Sequence, residues 1–167
     1  MICFMKSLLV KEQVLAIIKE RGKAKESLLA ILLDIQSASG ENCVSEEWAR
    51  LVSKELGIPL TMVFDILSYY AMFSTKPRGR YVIEICNSTP CYVTKSDEIV
   101  HIFEKELGVK LGETTPDKLF TLMHTACVGA CDIGPVAKIG DKVYGNLTEK
   151  VIFDIIKSYR ESGEVTA

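Results

Sequence analysis

The sequence lacks the features that mark several large classes of proteins. Its 20 Lys and Arg residues do not outnumber its 22 Asp and Glu residues, whereas a nucleic-acid surface needs a basic stripe. No apolar run approaches the roughly 18 residues of a membrane span. The opening residues, MICFMKSLLV, have no basic start and no small-residue cleavage site, so they do not predict a signal peptide. These absences predict an intracellular, cytoplasmic protein.

Catalytic and nucleotide motifs are also missing. The chain contains neither G-x-G-x-x-G nor a Walker loop, the glycine-rich sequences that hold phosphates. Nor does it show a nucleophile, a base and an orienting acid in a recognisable arrangement. The chain by itself therefore looks like a carrier rather than a catalyst.

The first part of the chain shows only helical periodicity. Its apolar stripes predict four helices, at about 10–19, 25–37, 46–56 and 62–70. Ser45 and Thr61 are the expected N-caps of the third and fourth helices, because their hydroxyls can accept a free N–H of the first turn. Short connections between amphipathic helices predict a small bundle, which we assign to residues 1–77.

The third and fourth helices also have the layout of a helix-turn-helix. A recognition helix needs Arg, Lys, Asn or Gln to read bases, but residues 61–70 include no basic residue and do include Asp65. The pattern therefore disfavours DNA binding. The aromatic residues Tyr69, Tyr70 and Phe73 are expected to be exposed and to pack on another protein or on the second domain.

The pattern changes after the polar Pro/Gly break at residues 74–79. The predicted elements are a strand at 80–85, a helix capped by Thr94, a strand at 119–125, a hairpin at 136–144 and a helix capped by Thr148. The order β-α-β-β-β-α, with a parallel first pair, resembles the thioredoxin topology. The expected fold is therefore α+β with one α/β crossover: a helical bundle followed by a thioredoxin-like βαβββα domain over residues 78–167.

Two cysteine pairs follow the two strands that are expected to be parallel. Asn-Ser-Thr-Pro separates Cys86 from Cys91, and Val-Gly-Ala separates Cys127 from Cys131. A right-handed crossover brings the carboxyl ends of parallel strands to the same edge of a sheet. We therefore expect the four thiols to share one site.

Three chemistries suit paired cysteines. A redox disulfide favours C-x-x-C at a helix N-terminus, and neither pair has that spacing. A structural zinc ion accepts four cysteines at these spacings, which would make the protein a zinc-stabilised interaction module. A [2Fe–2S] cluster takes four thiolates as two pairs, one per iron, and the small residues Gly129 and Ala130 leave room for backbone N–H groups near it. The residues favour the cluster and leave zinc open.

The remaining candidate ligands are read as structural. His124, three residues before Cys127, is expected to pack on a strand face, and His101 is expected at a helix surface. Cys3 and Cys43 have no partner nearby in sequence, and we expect them to be terminal or core-filling thiols.

Five segments together resemble the thioredoxin-like [2Fe–2S] ferredoxin family. They are LSYYAMF at 67–73, NSTPC at 87–91, GETTPD at 112–117, CVGAC at 127–131 and YGNLT at 144–148. That family includes the 24-kDa (E) subunit of NADH:quinone oxidoreductase and the small subunit of NAD-linked, electron-bifurcating hydrogenases and related transhydrogenases and formate dehydrogenases. The resemblance implies one [2Fe–2S] cluster, with Cys86 and Cys91 on one iron and Cys127 and Cys131 on the other.

The resemblance also implies partners. The cluster would exchange single electrons with a flavoprotein subunit that carries FMN, an NAD(H) site and a [4Fe–4S] cluster. A larger iron–sulfur or catalytic subunit would complete the complex, and the N-terminal helices would dock the flavoprotein. Asp117–Phe120 is more similar to the respiratory enzyme, whereas Val143–Gly145 and Tyr159–Arg160 favour the hydrogenase group, so we expect a soluble bifurcating complex.

The second cysteine loop departs from the family pattern, which usually reads Cys-Leu-Gly-Ala-Cys after an acidic residue. Here Val128 replaces the leucine and Ala126 the acid, and Lys138 lies in the following strand. A missing negative charge favours the more negative, reduced cluster. The departure therefore predicts a raised reduction potential.

Overall fold

A computed structural model describes residues 10–162 of the chain. The chain divides into two compact units, with the division between Arg80 and Tyr81. Within the described residues, no helix has both the length and the apolar character needed to cross a membrane.

The first unit is helical. Its helices are α1 (Lys11–Arg21), α2 (Leu28–Ala38), α3 (Glu46–Leu56) and α4 (Leu60–Tyr69), with a 3-10 turn at Lys25–Ser27 before α2. The Oγ of Ser45 accepts the Trp48 N–H at 3.3 Å, as predicted for the N-cap of α3. Gly57, with φ of 65°, ends the helix in the left-handed region.

The apolar faces of the four helices form one core. Its largest fully buried members are Val14, Ile18, Leu28, Ile31, Leu32 and Ile35. Two expectations for this unit are wrong. Pro59, rather than Thr61, occupies the N-cap position of α4, because its fixed φ suits the residue that enters a helix. Phe73 is 4% exposed, since a turn bonded from its N–H to the Tyr70 carbonyl folds its ring into the core.

The second unit is a four-stranded mixed sheet with helices. Its elements are β1 (Tyr81–Cys86), α5 (Thr89–Val93), α6 (Ser96–Leu107), β2 (Phe120–Thr125), β3 (Ala137–Ile139), β4 (Lys142–Tyr144) and α7 (Glu149–Ser162). The strand order is β2-β1-β3-β4, with β1 parallel to β2 and both other pairs antiparallel. This arrangement confirms the predicted thioredoxin-like βαβββα domain and adds the short helix α5.

The core of this unit lies between the sheet and its helices. Alternate residues of β1 and β2 are fully buried there, together with Phe103 of α6 and Ile152 of α7. The Oγ1 of Thr148 accepts the Val151 N–H at 3.4 Å at the start of α7, as predicted. The covered sheet fixes the ends of β1 and β2, and the cysteine loops begin there.

Candidate metal centre

The parallel pairing of β1 and β2 brings both cysteine pairs to one edge of the sheet. The register aligns Cys86, the last residue of β1, with Thr125, the last residue of β2. Cys127 follows only two residues later. The directions of the two strands therefore deliver the first cysteine of each pair to neighbouring positions, as the sequence predicts.

Cys86 and Cys91 form the buried half of the site. Each is 1% exposed, and they share a small apolar cluster with Val136. The N–H of Cys86 donates to the Val136 carbonyl at 3.1 Å. Cys91 lies in α5, where the Tyr92 N–H donates to the Ser88 carbonyl at 2.9 Å. A strand and a short helix thus hold this pair away from water.

Cys127 and Cys131 form the exposed half. Their Sγ atoms are 3.8 Å apart, and the Gly129 N–H points at the Cys127 Sγ from 3.4 Å. Gly129 has φ of 85°, a left-handed conformation that favours glycine. Two sulfurs bound at ~2.3 Å to one tetrahedral metal lie about 3.8 Å apart. This pair is therefore already spaced to chelate a single metal ion.

The two loops contact each other. Val128 and Ile133, from the second loop, pack against the cluster that contains Cys86, Cys91 and Val136. The Val128 backbone also hydrogen-bonds to the Cys86 thiol. A methyl group added at Gly134 would lie 3.8 Å from the Cys91 Sγ. The backbone of the second loop therefore passes directly beside a sulfur of the first.

The thiols differ in how readily they ionise. Burial disfavours a thiolate at Cys86, but hydrogen bonds from Ser88 and Cys91 outweigh it and lower the pKa of Cys86. Burial and the hydrogen bond to Cys86 raise the pKa of Cys91. The hydrogen bond with Cys127 raises the pKa of Cys131. Cys86 therefore gives up its proton more readily than Cys91, and a bound metal would displace the protons of both thiols.

The arrangement distinguishes a single metal ion from a two-metal centre. Within residues 10–162, no three Cys, His, Asp or Glu side chains converge on one metal position. The thiols instead form two pairs, and Cys131 lies near enough to Cys91 to raise the pKa of Cys91 electrostatically. A Cys₄ zinc site converges on one ion, whereas a [2Fe–2S] cluster uses two pairs on two irons. The residues therefore fit the cluster better.

The other candidate ligands that the structure describes make different contacts or lie on other elements. His124 Nδ1 is 3.3 Å from the carbonyl oxygen of Ile85, so its ring packs on the neighbouring strand. The side chain of His101 is 78% exposed on α6. Cys43 is 3% exposed inside the helical unit, and Cys3 lies outside the described residues.

Sequence reasoning missed α5 and misassigned Thr94. The Thr94 hydroxyl does not cap α6. It donates to the carbonyls of Pro90 at 3.2 Å and Cys91 at 3.0 Å and so closes α5. Lys95, with φ of 71°, then precedes α6. The signal for α5 was present in the sequence, because Pro90 lies two residues after Ser88, and a proline is favoured in the first turn of a helix.

Comparisons with known proteins show which family the chain is similar to. The profile of the thioredoxin-like [2Fe–2S] ferredoxin family matches residues 14–160. The HndA subunit of the NADP-reducing hydrogenase of Solidesulfovibrio fructosivorans is 32% identical over 147 residues, which are 88% of this chain and 85% of that protein. The E subunit of the NADH-quinone oxidoreductase of Rickettsia felis is 37% identical over 135 residues, 81% of each chain.

A solved structure shares the fold. The NAD⁺-reducing [NiFe]-hydrogenase in its air-oxidised state matches 84% of this chain with a TM-score of 0.72 and 22% identity. This chain corresponds to 24% of that hydrogenase chain. The family profile, in contrast, extends across both units, from α1 to α7. The chain therefore belongs to the thioredoxin-like [2Fe–2S] ferredoxin family.

Proposed function

We propose that Cys86 and Cys91 bind one iron of a [2Fe–2S] cluster and that Cys127 and Cys131 bind the other. The family is defined by this cofactor. The observation that carries the proposal is the meeting of two thiol pairs at one sheet edge, with the Sγ atoms of the exposed pair 3.8 Å apart. A hydrogen bond links the thiols of the other pair, which is buried.

Serine substitutions test this ligand set. Replacing each of the four cysteines singly is expected to reduce the iron and sulfide content of anaerobically reconstituted protein, because each variant lacks one thiolate. Cys43→Ser is the matched control, since Cys43 is a buried cysteine that lies in the helical unit. Equal iron content in a ligand variant and in Cys43→Ser would remove that cysteine from the ligand set.

When bound, the cluster accepts and releases single electrons. The chain provides the surroundings. Cys86 and Cys91 keep water from one side, and exposed Cys127 and Cys131 open the other side to the surface. The Gly129 N–H directed at a ligand sulfur stabilises added negative charge and so raises the reduction potential. This asymmetry favours electron exchange through the exposed loop.

We infer that the electron partner is a flavoprotein subunit carrying FMN, NAD(H) and a [4Fe–4S] cluster, in a complex completed by a larger iron–sulfur or catalytic subunit. The 88% coverage of this chain by the hydrogenase protein HndA favours a soluble, electron-bifurcating hydrogenase or a related transhydrogenase. Respiratory NADH:quinone oxidoreductase is the second candidate, favoured by the 37% identity to the Rickettsia felis protein. Thiols that must stay reduced to bind iron suit the cytoplasm.

The helical bundle, assigned to residues 1–77, is the proposed docking unit for the flavoprotein. Tyr69 is 81% exposed and Tyr70 40% exposed, and their rings meet edge to face at 5.1 Å. Together with Asp65 they line an open depression of about 500 Å³ on α4. Exposed aromatic groups of this kind are enriched at the energetic centres of interfaces.

Hydrogen bonds with Gln36 also fix the backbone that follows α4. The Nε2 of Gln36 donates to the Met72 carbonyl at 2.8 Å, and its Oε1 accepts the Ser74 N–H at 2.8 Å. These bonds fix the backbone on both sides of buried Phe73. A fixed backbone lowers the entropy lost on binding, which suits a permanent subunit contact.

Co-purification with the native complex tests this docking surface. Tyr69→Ala with Tyr70→Ala is expected to lose the flavoprotein subunit while keeping wild-type cluster content. Phe153→Ala is the control, because Phe153 is a 53% exposed apolar side chain on α7. Equal retention of the flavoprotein by both variants would contradict a docking role for α4.

A further inference from the structure

We propose that Gly145 is a positioning residue for the second cysteine loop. A methyl group at Gly145 would lie 2.5–2.6 Å from the Cβ, Cγ1 and Cδ1 atoms of Ile133. Non-bonded carbon atoms prefer separations of about 3.5–4.0 Å. Ile133 can therefore occupy its place only because residue 145 has no side chain. The inference rests on the proposed function, since Ile133 lies in the loop that carries Cys131.

Space, rather than backbone conformation, explains this glycine. The φ of Gly145 lies outside the left-handed region, unlike that of Gly140 in the same hairpin, which is 58°. The φ of Gly145 therefore gives no reason for a glycine at this position. The Cβ of Ile133, one of the three crowded atoms, is attached directly to the backbone. A side-chain rotation therefore cannot relieve the clash, and the backbone of one segment must move.

The segment that contains Gly145 is anchored in the core of the second unit and bonded to the cysteine loop. The Asn146 N–H donates to the Ile133 carbonyl at 2.6 Å, and the Leu147 N–H reaches the Pro135 carbonyl at 3.5 Å. Leu147 is 5% exposed and packs in the core of the second unit. Residues 145–147 thus form a brace, anchored in the core, against which the cysteine loop rests.

Movement of Ile133 would reach the thiols directly. Ile133 ends the 3-10 turn that begins at Cys131, and the Gly134 N–H closes that turn on the Cys131 carbonyl at 3.4 Å. Ile133 also packs against the buried cluster of Cys86, Cys91 and Val136. A displaced Ile133 would therefore shift Cys131 relative to the buried pair.

Gly145→Ala tests the brace, with Gly140→Ala as the matched control. An alanine at position 140 is strained by its positive φ but meets nothing within 4 Å, so it lowers stability without pressing on the loop. In Gly145→Ala we expect about tenfold faster loss of the cluster to a chelator than in Gly140→Ala, a ratio that corresponds to ~1.4 kcal/mol. We also expect a shifted midpoint potential and altered EPR g-values of the reduced protein.

The outcomes separate this proposal from the assignment of the cluster. Wild-type protein without iron would refute the proposed function itself. Wild-type protein with a cluster, and a Gly145→Ala variant equal to Gly140→Ala in chelator release, potential and EPR spectrum, would overturn the brace alone. If Gly145→Ala does not fold, Ile133→Ala tests the brace instead, because it removes the side chain that rests against residues 145–147. It should release the cluster faster than Val143→Ala, a control at a 39% exposed position in β4, and equal release would reject the brace.

Discussion

The charge at position 126 offers a quantitative test of how the second loop tunes the cluster. Ala126 is exposed and directly precedes Cys127. Adjacent Cα atoms are ~3.8 Å apart, and side chains extend from both, so a glutamate at 126 would hold its carboxylate on the order of 8 Å from the cluster. Reduction adds one negative charge. At ~8 Å and an effective dielectric constant of about 40–80, the repulsion is ~0.5–1 kcal/mol.

This repulsion converts into a measurable potential. A one-electron couple shifts by about 59 mV for each tenfold change in its equilibrium constant, so Ala126→Glu should lower the midpoint by ~20–45 mV. Ala126→Gln is the control of equal size and no charge. Because the screening length is ~30 Å at 0.01 M salt and ~3 Å at 1 M, the difference between the two variants should be largest at low salt.

A spectroelectrochemical titration of Ala126→Glu and Ala126→Gln measures this difference in midpoint potential. Equal potentials at low salt would refute the argument that the missing acid at position 126 raises the potential. Lys138→Gln should also lower the midpoint potential, because it removes a positive charge from β3 and leaves Glu84, its partner in the register of β1 and β3, without an opposing charge.

Three further substitutions test the scaffold in the apoprotein. Ser45→Ala removes the acceptor of the Trp48 N–H and should lower the free energy of unfolding by ~0.5–2 kcal/mol in urea titrations; an unchanged midpoint would show that the cap contributes nothing. Ile83→Val deletes a methyl group at a fully buried position and should lower the free energy of unfolding by ~0.5–1.5 kcal/mol. The visible spectrum of the reconstituted variant should match that of the wild type, and an altered spectrum would tie Ile83 to the site. The hydrogen bond from the Thr115 hydroxyl lowers the pKa of Asp117. The ionised Asp117 therefore stabilises the folded protein above the ordinary carboxyl pKa, and this stabilisation is lost as pH falls through the lowered pKa of Asp117. Asp117→Asn should therefore be less stable than wild type at pH 7, with the gap closing below about pH 4, and a gap that is constant with pH would contradict this.

Local sequence signals predicted much of the scaffold. Ser45 caps α3 and the helix ends at residue 56, both as expected, because a cap and a helix ending depend on the residue itself and its immediate neighbours. The meeting of the strands before Cys86 and Cys127 was predictable as well, since the handedness of a βαβ crossover is nearly invariant.

The predictions failed where neighbouring or distant residues determine the cap, the burial or the contacts of a side chain. Pro59, rather than Thr61, occupies the N-cap position of α4, because the proline ring fixes φ at that residue. Phe73 looked like part of an exposed aromatic cluster, but a turn and the core of the bundle bury it. The role of Gly145 depends on Ile133, twelve positions earlier, and no local pattern indicates that contact.

The proposed function depends above all on two pairs of thiolates that hold a two-iron cluster. Metal and acid-labile sulfide analysis of the anaerobically purified protein, with its EPR spectrum after reduction, tests that arrangement most directly. We expect a coloured protein with about two irons and two sulfides per chain and one S = 1/2 signal on reduction. A colourless protein with one zinc ion per chain and no EPR signal would contradict it.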